Sequence, residues 1–314
     1  MSPNTIQIKT PEIKTPETKT PEIKALQARS FQTARRFRWR MGVLPLAAFY
    51  AVFFVAPQIF FMGVSFFTST GPGQYDAALT VTNYTSLFSD SFIYRAIVNT
   101  LQLSTCTAFC SVLIGFSLAF AIAHNRRVGR YLFMLVIATM FSSAVALALG
   151  WQALLSSNGG VNGALMAIGL LQSPLPLSSN MTSILIGMVH GAIPVSVLGL
   201  LPACEALSMA QVEAARGLGA SSLRVFHQVI LPQTSRALLS VFLIVFAVTT
   251  SAFTTPALLG GGRVALLPLA IREQLLVVFN YPKAAAISVI LIVATIIVVL
   301  LVRQITTNRQ YANA

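Results

Sequence analysis

The sequence predicts an all-α, polytopic membrane protein with six transmembrane helices and both chain ends on the cytoplasmic side. Three observations predict it. The 314-residue chain is 55% hydrophobic and only 9% charged, whereas a soluble globular domain carries about 25% charged residues. The apolar residues gather into uncharged runs that approach or exceed the ~20 residues a helix needs to cross a bilayer. The 21 Lys and Arg sit in short segments between those runs. A large core cannot explain the charge deficit, because a soluble domain must still present a polar surface; a chain whose main solvent is lipid need not. The net charge of +13 raises the question of nucleic acid. A nucleic-acid binder would cluster its basic residues on a soluble domain, so their dispersal between apolar runs favours membrane topology.

Residues 1–33 form a separate tail with a five-residue repeat: KTPEI at 9–13, KTPET at 14–18 and KTPEI at 19–23. Proline every fifth residue blocks a stable helix, and no apolar face exists, so this cytoplasmic tail is expected to be disordered. A basic anchor follows at Arg35, Arg36, Arg38 and Arg40, directly before the first uncharged run, 41–67. That run is too long for a signal-peptide core, and further spans follow it, which also argues against a twin-arginine export signal. As a helix it would reach roughly 40 Å, longer than the ~30 Å hydrocarbon core. Further runs cover about 96–123, 131–154, 181–201, 237–258 and 284–302. The stretch 259–283 contains Arg263, Pro268, Arg272, Glu273 and Lys283. Charges at a span centre cost about 2.5–3.5 kcal/mol each, so it is expected to be interfacial or re-entrant.

Orientation follows from the cations. With the N-terminus inside, 17 of the 21 Lys and Arg fall in inside segments, including Arg126, Arg127, Arg130, Arg216, Arg224, Arg236, Arg303 and Arg309. Only Arg95, Arg263, Arg272 and Lys283 fall outside. The positive-inside bias therefore selects N-in, C-in, with a short C-terminal tail at 303–314. Cys106, Cys110 and Cys204 are an odd number with no framework spacing, so no disulfide is expected. Cys106 and Cys110 share a helix face but have no His or further Cys nearby, so packing is expected and no metal site.

One inside segment departs from lipid logic. The loop 203–232 is too long and too regular for a passive connector. Glu205 to Arg216 is rich in strong helix formers. Gly217 and Gly219 would stop that helix, and Ser221 or Ser222 would cap a second one. Leu223, Phe226 and Ile230 recur at helical spacing, and Pro232 is expected to end the second helix and part it from the next span. Such a short amphipathic helix needs a surface: the chain's own spans, the membrane face, or a groove on a partner.

The same segment resembles the EAA loop of permease subunits of bacterial ABC importers. That pattern is Glu-Ala-Ala, three residues, Gly, nine residues, Ile, one residue, Leu-Pro. Here stand Glu213, Ala214, Ala215, Gly219, Val229, Leu231 and Pro232; the only departure is Val for Ile at 229. The resemblance extends over the core, about 95–302. Asn99–Thr100, the run Thr255-Pro256-Ala257-Leu258-Leu259-Gly260-Gly261 and the run Tyr281-Pro282-Lys283-Ala284-Ala285 are similar to features of the group handling polyamines, opines and aminoalkylphosphonates.

The resemblance implies a type I importer permease fold and a chain that passes a small cationic or zwitterionic solute inward from a periplasmic solute-binding protein. It implies a separate ATPase subunit in two copies and a second permease subunit, non-identical to this one or, as the alternative, a second copy of it. It assigns ATPase docking to Glu213, Ala214, Ala215, Gly219, Phe226, Val229, Leu231 and Pro232, with Phe226 as the anchor of the docked face. The chain has no G-x-x-x-x-G-K-[ST] motif, so no catalysis and no bound cofactor are expected on it. His190, Thr250, Ser251, Thr254 and Glu273 are candidates for the translocation path. Each has a structural alternative: a helix-to-helix hydrogen bond for His190, back-bonding to helix carbonyls for the hydroxyls, and pairing with Arg272, Arg263 or Lys283 for Glu273. A secondary transporter or channel would place Asp, Glu, Lys or Arg inside the spans. A membrane enzyme would need a cluster of His, Asp, Glu or Cys at one face. The chain shows neither pattern, with only His124, His190 and His227 as histidines.

Overall fold

A computed structural model describes residues 44–312; the repeat tail, the basic anchor and the last two residues of the C-terminal tail lie outside the described residues. The chain divides into two compact units, one ending at Phe60 and the other beginning at Phe61. Helix α1 (Leu44–Val64) lies mostly in the first, and its residues from Leu44 to Phe60 are exposed apolar side chains in the main. It contains a π turn at Ala51–Val55, closed by Ala56 N–H on Ala51 O. Pro57 follows at once. A proline inside a helix lacks the N–H its ladder needs and crowds the carbonyl four residues back, and a widened turn opens the ladder at that point.

The second unit starts with a hairpin that the all-α expectation did not include. Strands β1 (Phe67–Gly71) and β2 (Gln74–Leu79) pair antiparallel across Pro72–Gly73. Helix α2 (Thr82–Phe88) holds its base: Asn83 Nδ2 donates to Ser65 O and to Phe67 O, both at 2.9 Å. Gly73 N–H also donates to Phe279 O at 2.8 Å, tying the turn to the linker before the last helix.

The long helix α3 (Ser91–His124) is the spine. Asp90 caps its start by accepting from Phe92 N–H at 2.8 Å. Asn125 ends it and caps α4 (Arg126–Met140) by accepting from Val128 N–H. Helices α5 (Ala144–Leu155) and α6 (Gly160–Ala167) follow. The run 131–154, expected as one straight span, is broken: the segment Ala144–Ala167 is bent by 103° from Arg126–Met140. The break falls at Phe141, Ser142 and Ser143, where the Ser143 hydroxyl accepts from Val145 N–H and restarts a helix in a new direction.

Helix α7 (Met181–Glu205) is started by a capping box in which Asn180 and Ser183 satisfy each other's N–H groups. It lies against α3 closely enough that a Cβ on Gly115 would stand 2.5 Å from Ser196 Cβ. After α8 (Met209–Gly217) comes α9 (Ser222–Thr250), which packs on both. The shared core of α3, α7 and α9 includes Phe116, Val197, Leu200, Val241, Val245 and Phe246. The expected fifth span at 237–258 ends earlier, at Thr250, and the short helix α10 (Thr254–Leu259) follows. The stretch after it forms only α11 (Leu267–Leu276), ten residues and too short to span, as its charges led one to expect. Helix α12 (Tyr281–Ala312) runs past the expected end at 302, because no Gly or Pro follows Pro282 to stop it. Among the described residues five helices are long and apolar enough to cross a membrane in one piece, and the bent pair, counted as one broken span, makes six.

Candidate functional site

The segment between α7 and α9 is built as two helices around one turn. Glu205, expected to open the first, is instead the last residue of α7. Helix α8 ends where Gly219, at φ +80°, takes the left-handed conformation. Gly219 N–H bonds Arg216 O, and Ala220 N–H reaches back to Ala215 O at 3.1 Å. This is a Schellman closure, and it needs a residue without a Cβ penalty at that place. Ser221 then caps α9 by accepting from Arg224 N–H at 3.4 Å.

Pro232 does not end the second helix. A π turn at Phe226–Ile230, closed by Leu231 N–H on Phe226 O, lets the helix continue through the proline to Thr250. Side chains take up carbonyls loosened nearby: Gln233 Nε2 donates to Val229 O at 2.9 Å and Thr234 Oγ1 to Ile230 O at 3.0 Å. Gln233 also donates to Gln211 Oε1 at 3.1 Å, binding α8 to α9. The loop helix and the following apolar helix are therefore one stiff rod with a single widened turn.

The apolar stripe is divided. Val225 and Ile230 are buried, and Val212 of α8 with them. Phe226, expected on the docked face, turns inward and meets Phe116 edge-on with ring centroids 6.2 Å apart. The reason is its position on the face that also carries Val225 and Ile230, toward the core of α3, α7 and α9. Val229, Leu231 and Ala215 are half-buried. Of the expected set Glu213, Ala214, Gly219 and Pro232 remain outward, and two leucines flank the turn, Leu218 at 89% exposure and Leu223 at 68%. Leu218 had no place in the expected set, and its signal was present: a leucine between two glycines in a polar turn.

The path candidates do not converge. His190 Nδ1 accepts from Trp151 Nε1 at 2.9 Å, so the helix-to-helix hydrogen bond is made. Both rings line a cavity of about 310 Å³ at the bend of the broken span, with Thr139, Ser142 and Gly150. Thr250 donates to Phe246 O at 2.6 Å and is buried, and Ser251 donates to Val248 O at 3.0 Å. These hydroxyls satisfy their own helix. Thr254 is half-buried at the start of α10. Glu273 lies in a different cavity of about 560 Å³, between the N-terminal ends of α3 and α12 and helix α11. Among the described residues it has no partner at ion-pairing distance, so the expected surface pair is not formed. Asn99 and Thr100 fix the wall of that cavity. Asn99 Nδ2 donates to Ala265 O at 3.0 Å, and Thr100 Oγ1 accepts from Leu267 N–H at 2.9 Å.

The family model described as "Binding-protein-dependent transport system inner membrane component" matches residues 111–309. The spermidine/putrescine transport system permease protein PotB of Haemophilus influenzae is 31% identical over 241 residues, covering 76% of this chain and 84% of that protein. PotB of Escherichia coli is 26% identical over 250 residues, 79% and 90% of the two chains. A chain in the crystal structure of a bacterial ABC transporter that imports the acidic polysaccharide alginate superposes with a TM-score of 0.72 at 20% identity, covering 89% of this chain and 99% of that one.

Proposed function

The chain belongs to the family of inner membrane components of binding-protein-dependent transport systems, and on that footing we propose which of its parts meets each partner. It is a multi-pass inner-membrane permease subunit of an ATP-driven importer, working with a periplasmic binding protein and an ATPase. A secondary transporter or channel independent of an ATPase is not favoured. The N-terminus and C-terminus face the cytoplasm in this reading, as the distribution of cations requires. Two ATPase subunits and a second permease, non-identical in this reading with a second copy of this chain as the alternative, complete the assembly. The solute is a polyamine, opine or related cationic or zwitterionic compound, a reading supported by the likeness to PotB.

The ATPase grips the turn between α8 and α9. The observation that carries this is the exposure of Leu218 and Leu223 beside Glu213 on a capped two-helix corner. An aliphatic pair on a stiff corner suits a groove on a partner, which would remove both side chains from water. Glu213, Ala214, Ala215, Gly219, Val229, Leu231 and Pro232 shape that corner. Phe226 serves from the inside, seating the corner on α3 through Phe116. Displacement of the corner then reaches the bundle through α9, because a continuous helix transmits a rigid-body shift that a flexible loop would absorb. His190 and its cavity are proposed to line the path near the bend.

The test is co-purification. Leu218→Asp and Leu223→Asp should each lose the ATPase subunit while the chain remains inserted and folded. Phe226→Asp should instead destabilise the chain itself. Retention of the ATPase by the Leu218→Asp, Leu223→Asp double variant would overturn the docking assignment.

A further inference from the structure

The larger cavity collects charge of both signs. Arg95, Arg263, Arg272 and Lys283 line it together with Asp90 and Glu273. Asp90 is occupied as a helix cap and Arg95 Nε donates to Ser91 O at 3.3 Å. Among the described residues none of the six is at ion-pairing distance of an opposite charge. Arg95, Arg263, Arg272 and Glu273 are exposed, so water solvates their charges and little is gained by closing a pair. The Arg263 segment is fixed by Asn99 and Thr100, and Lys283 stands in the first turn of α12. Helices α3 and α12 also begin here, and the positive ends of their dipoles add to the excess of cations. The volume, about 560 Å³, lies within the roughly 300–1,000 Å³ range of small-molecule sites. The cavity lies at the opposite end of α3 from the ATPase corner, roughly 40 Å along the helix.

We propose that this cavity binds a small zwitterion, its acid group among Arg263, Arg272 and Lys283 and its amine toward Glu273. A plain polyamine, which carries only cations, meets a net repulsive wall there. The proposal rests on the reading of the chain as an importer permease whose α3 N-terminal end faces arriving solute, and it narrows the solute to compounds that carry an acid as well as an amine.

The experiment uses the intact transporter, purified with its companion subunits, in nanodiscs of phosphatidylcholine. Saturation-transfer NMR reads the binding of three probes: 2-aminoethylphosphonate, ethylphosphonate and putrescine. The expected order is aminoethylphosphonate, then ethylphosphonate, with putrescine weakest. Arg263→Gln with Arg272→Gln should weaken both phosphonates by roughly three- to tenfold, as removal of nearby partly solvated charges does. Glu273→Gln should weaken aminoethylphosphonate and leave ethylphosphonate unchanged or tighter. Putrescine binding as well as aminoethylphosphonate to the unmodified transporter, or phosphonate binding indifferent to the arginine substitutions, would sink the proposal. So would loss of probe binding in phosphatidylglycerol nanodiscs, since it would assign the cavity to a lipid headgroup. The importer reading is judged separately, by ATP hydrolysis that the binding protein stimulates in the same preparation; its failure would leave the probe-binding result standing.

Discussion

At Trp151 the indole N–H finds its acceptor on another helix, and this single bond engages His190. An indole N–H can only donate, so His190 Nδ1 is the acceptor in this bond. Trp151→Phe leaves Nδ1 without its donor and is expected to cost about 1 kcal/mol. A double-mutant cycle with His190→Ala, followed by denaturant unfolding in micelles, should return a coupling of about 0.5 kcal/mol or more; additive effects would show that the bond contributes nothing. Gly115 gives a second prediction. A Cβ there would stand 2.5 Å from Ser196 Cβ and 3.2 Å from the Ser196 backbone. Neither neighbour is a flexible side-chain end, so α3 and α7 would have to part. Gly115→Ala should lower stability by about 1–3 kcal/mol, read as a fall in thermal midpoint of the solubilised protein. His190 was visible in the sequence as the lone titratable group of its span, but its partner was not, because Trp151 is 39 residues away and meets it only through the bend.

The elements show where local chemistry suffices. Gly219 and Ser221 bound the corner as their residue types require, and the charges of 259–283 kept that stretch from spanning. Pro232 misled, because its rule describes an α ladder and the chain answers with a π turn. The hairpin was missed since its strands are short, although Gly71-Pro72-Gly73 marks its turn. The π turn carries a prediction of its own. Deleting Gln228 would restore an α register across Phe226–Ile230 and rotate everything before it by about 100°. Phe226 would leave Phe116, and the corner would point elsewhere. ATP-driven uptake in proteoliposomes should fall at least tenfold while the protein still inserts; near-normal uptake would mean that the rod's register does not matter.

For the whole molecule, sidedness is the property most open to a direct check. In a background without Cys106, Cys110 and Cys204, and with the chain expressed without its ATPase, Leu218→Cys should react with an impermeant maleimide only in inside-out vesicles. Leu79→Cys, on the exposed β2 strand, should react only in right-side-out vesicles. The reverse pattern would invert the topology. The sequence by itself determined the membrane class, the apolar runs and the corner between α8 and α9, and it supplied the sidedness that the labelling tests. Each of these depends on neighbours along the chain: an uncharged run, a cation after a span, a glycine at a helix end. Only the tertiary structure decided that Phe226 faces inward, that His190 is engaged, and that six charges from α3, α11, α12 and their linkers share one cavity with no ion pair among the described residues. Those outcomes depend on which helix lies opposite which. Among spans that are apolar on nearly every side, periodicity in the sequence does not mark the facing surface; close packing at small residues such as Gly115 does.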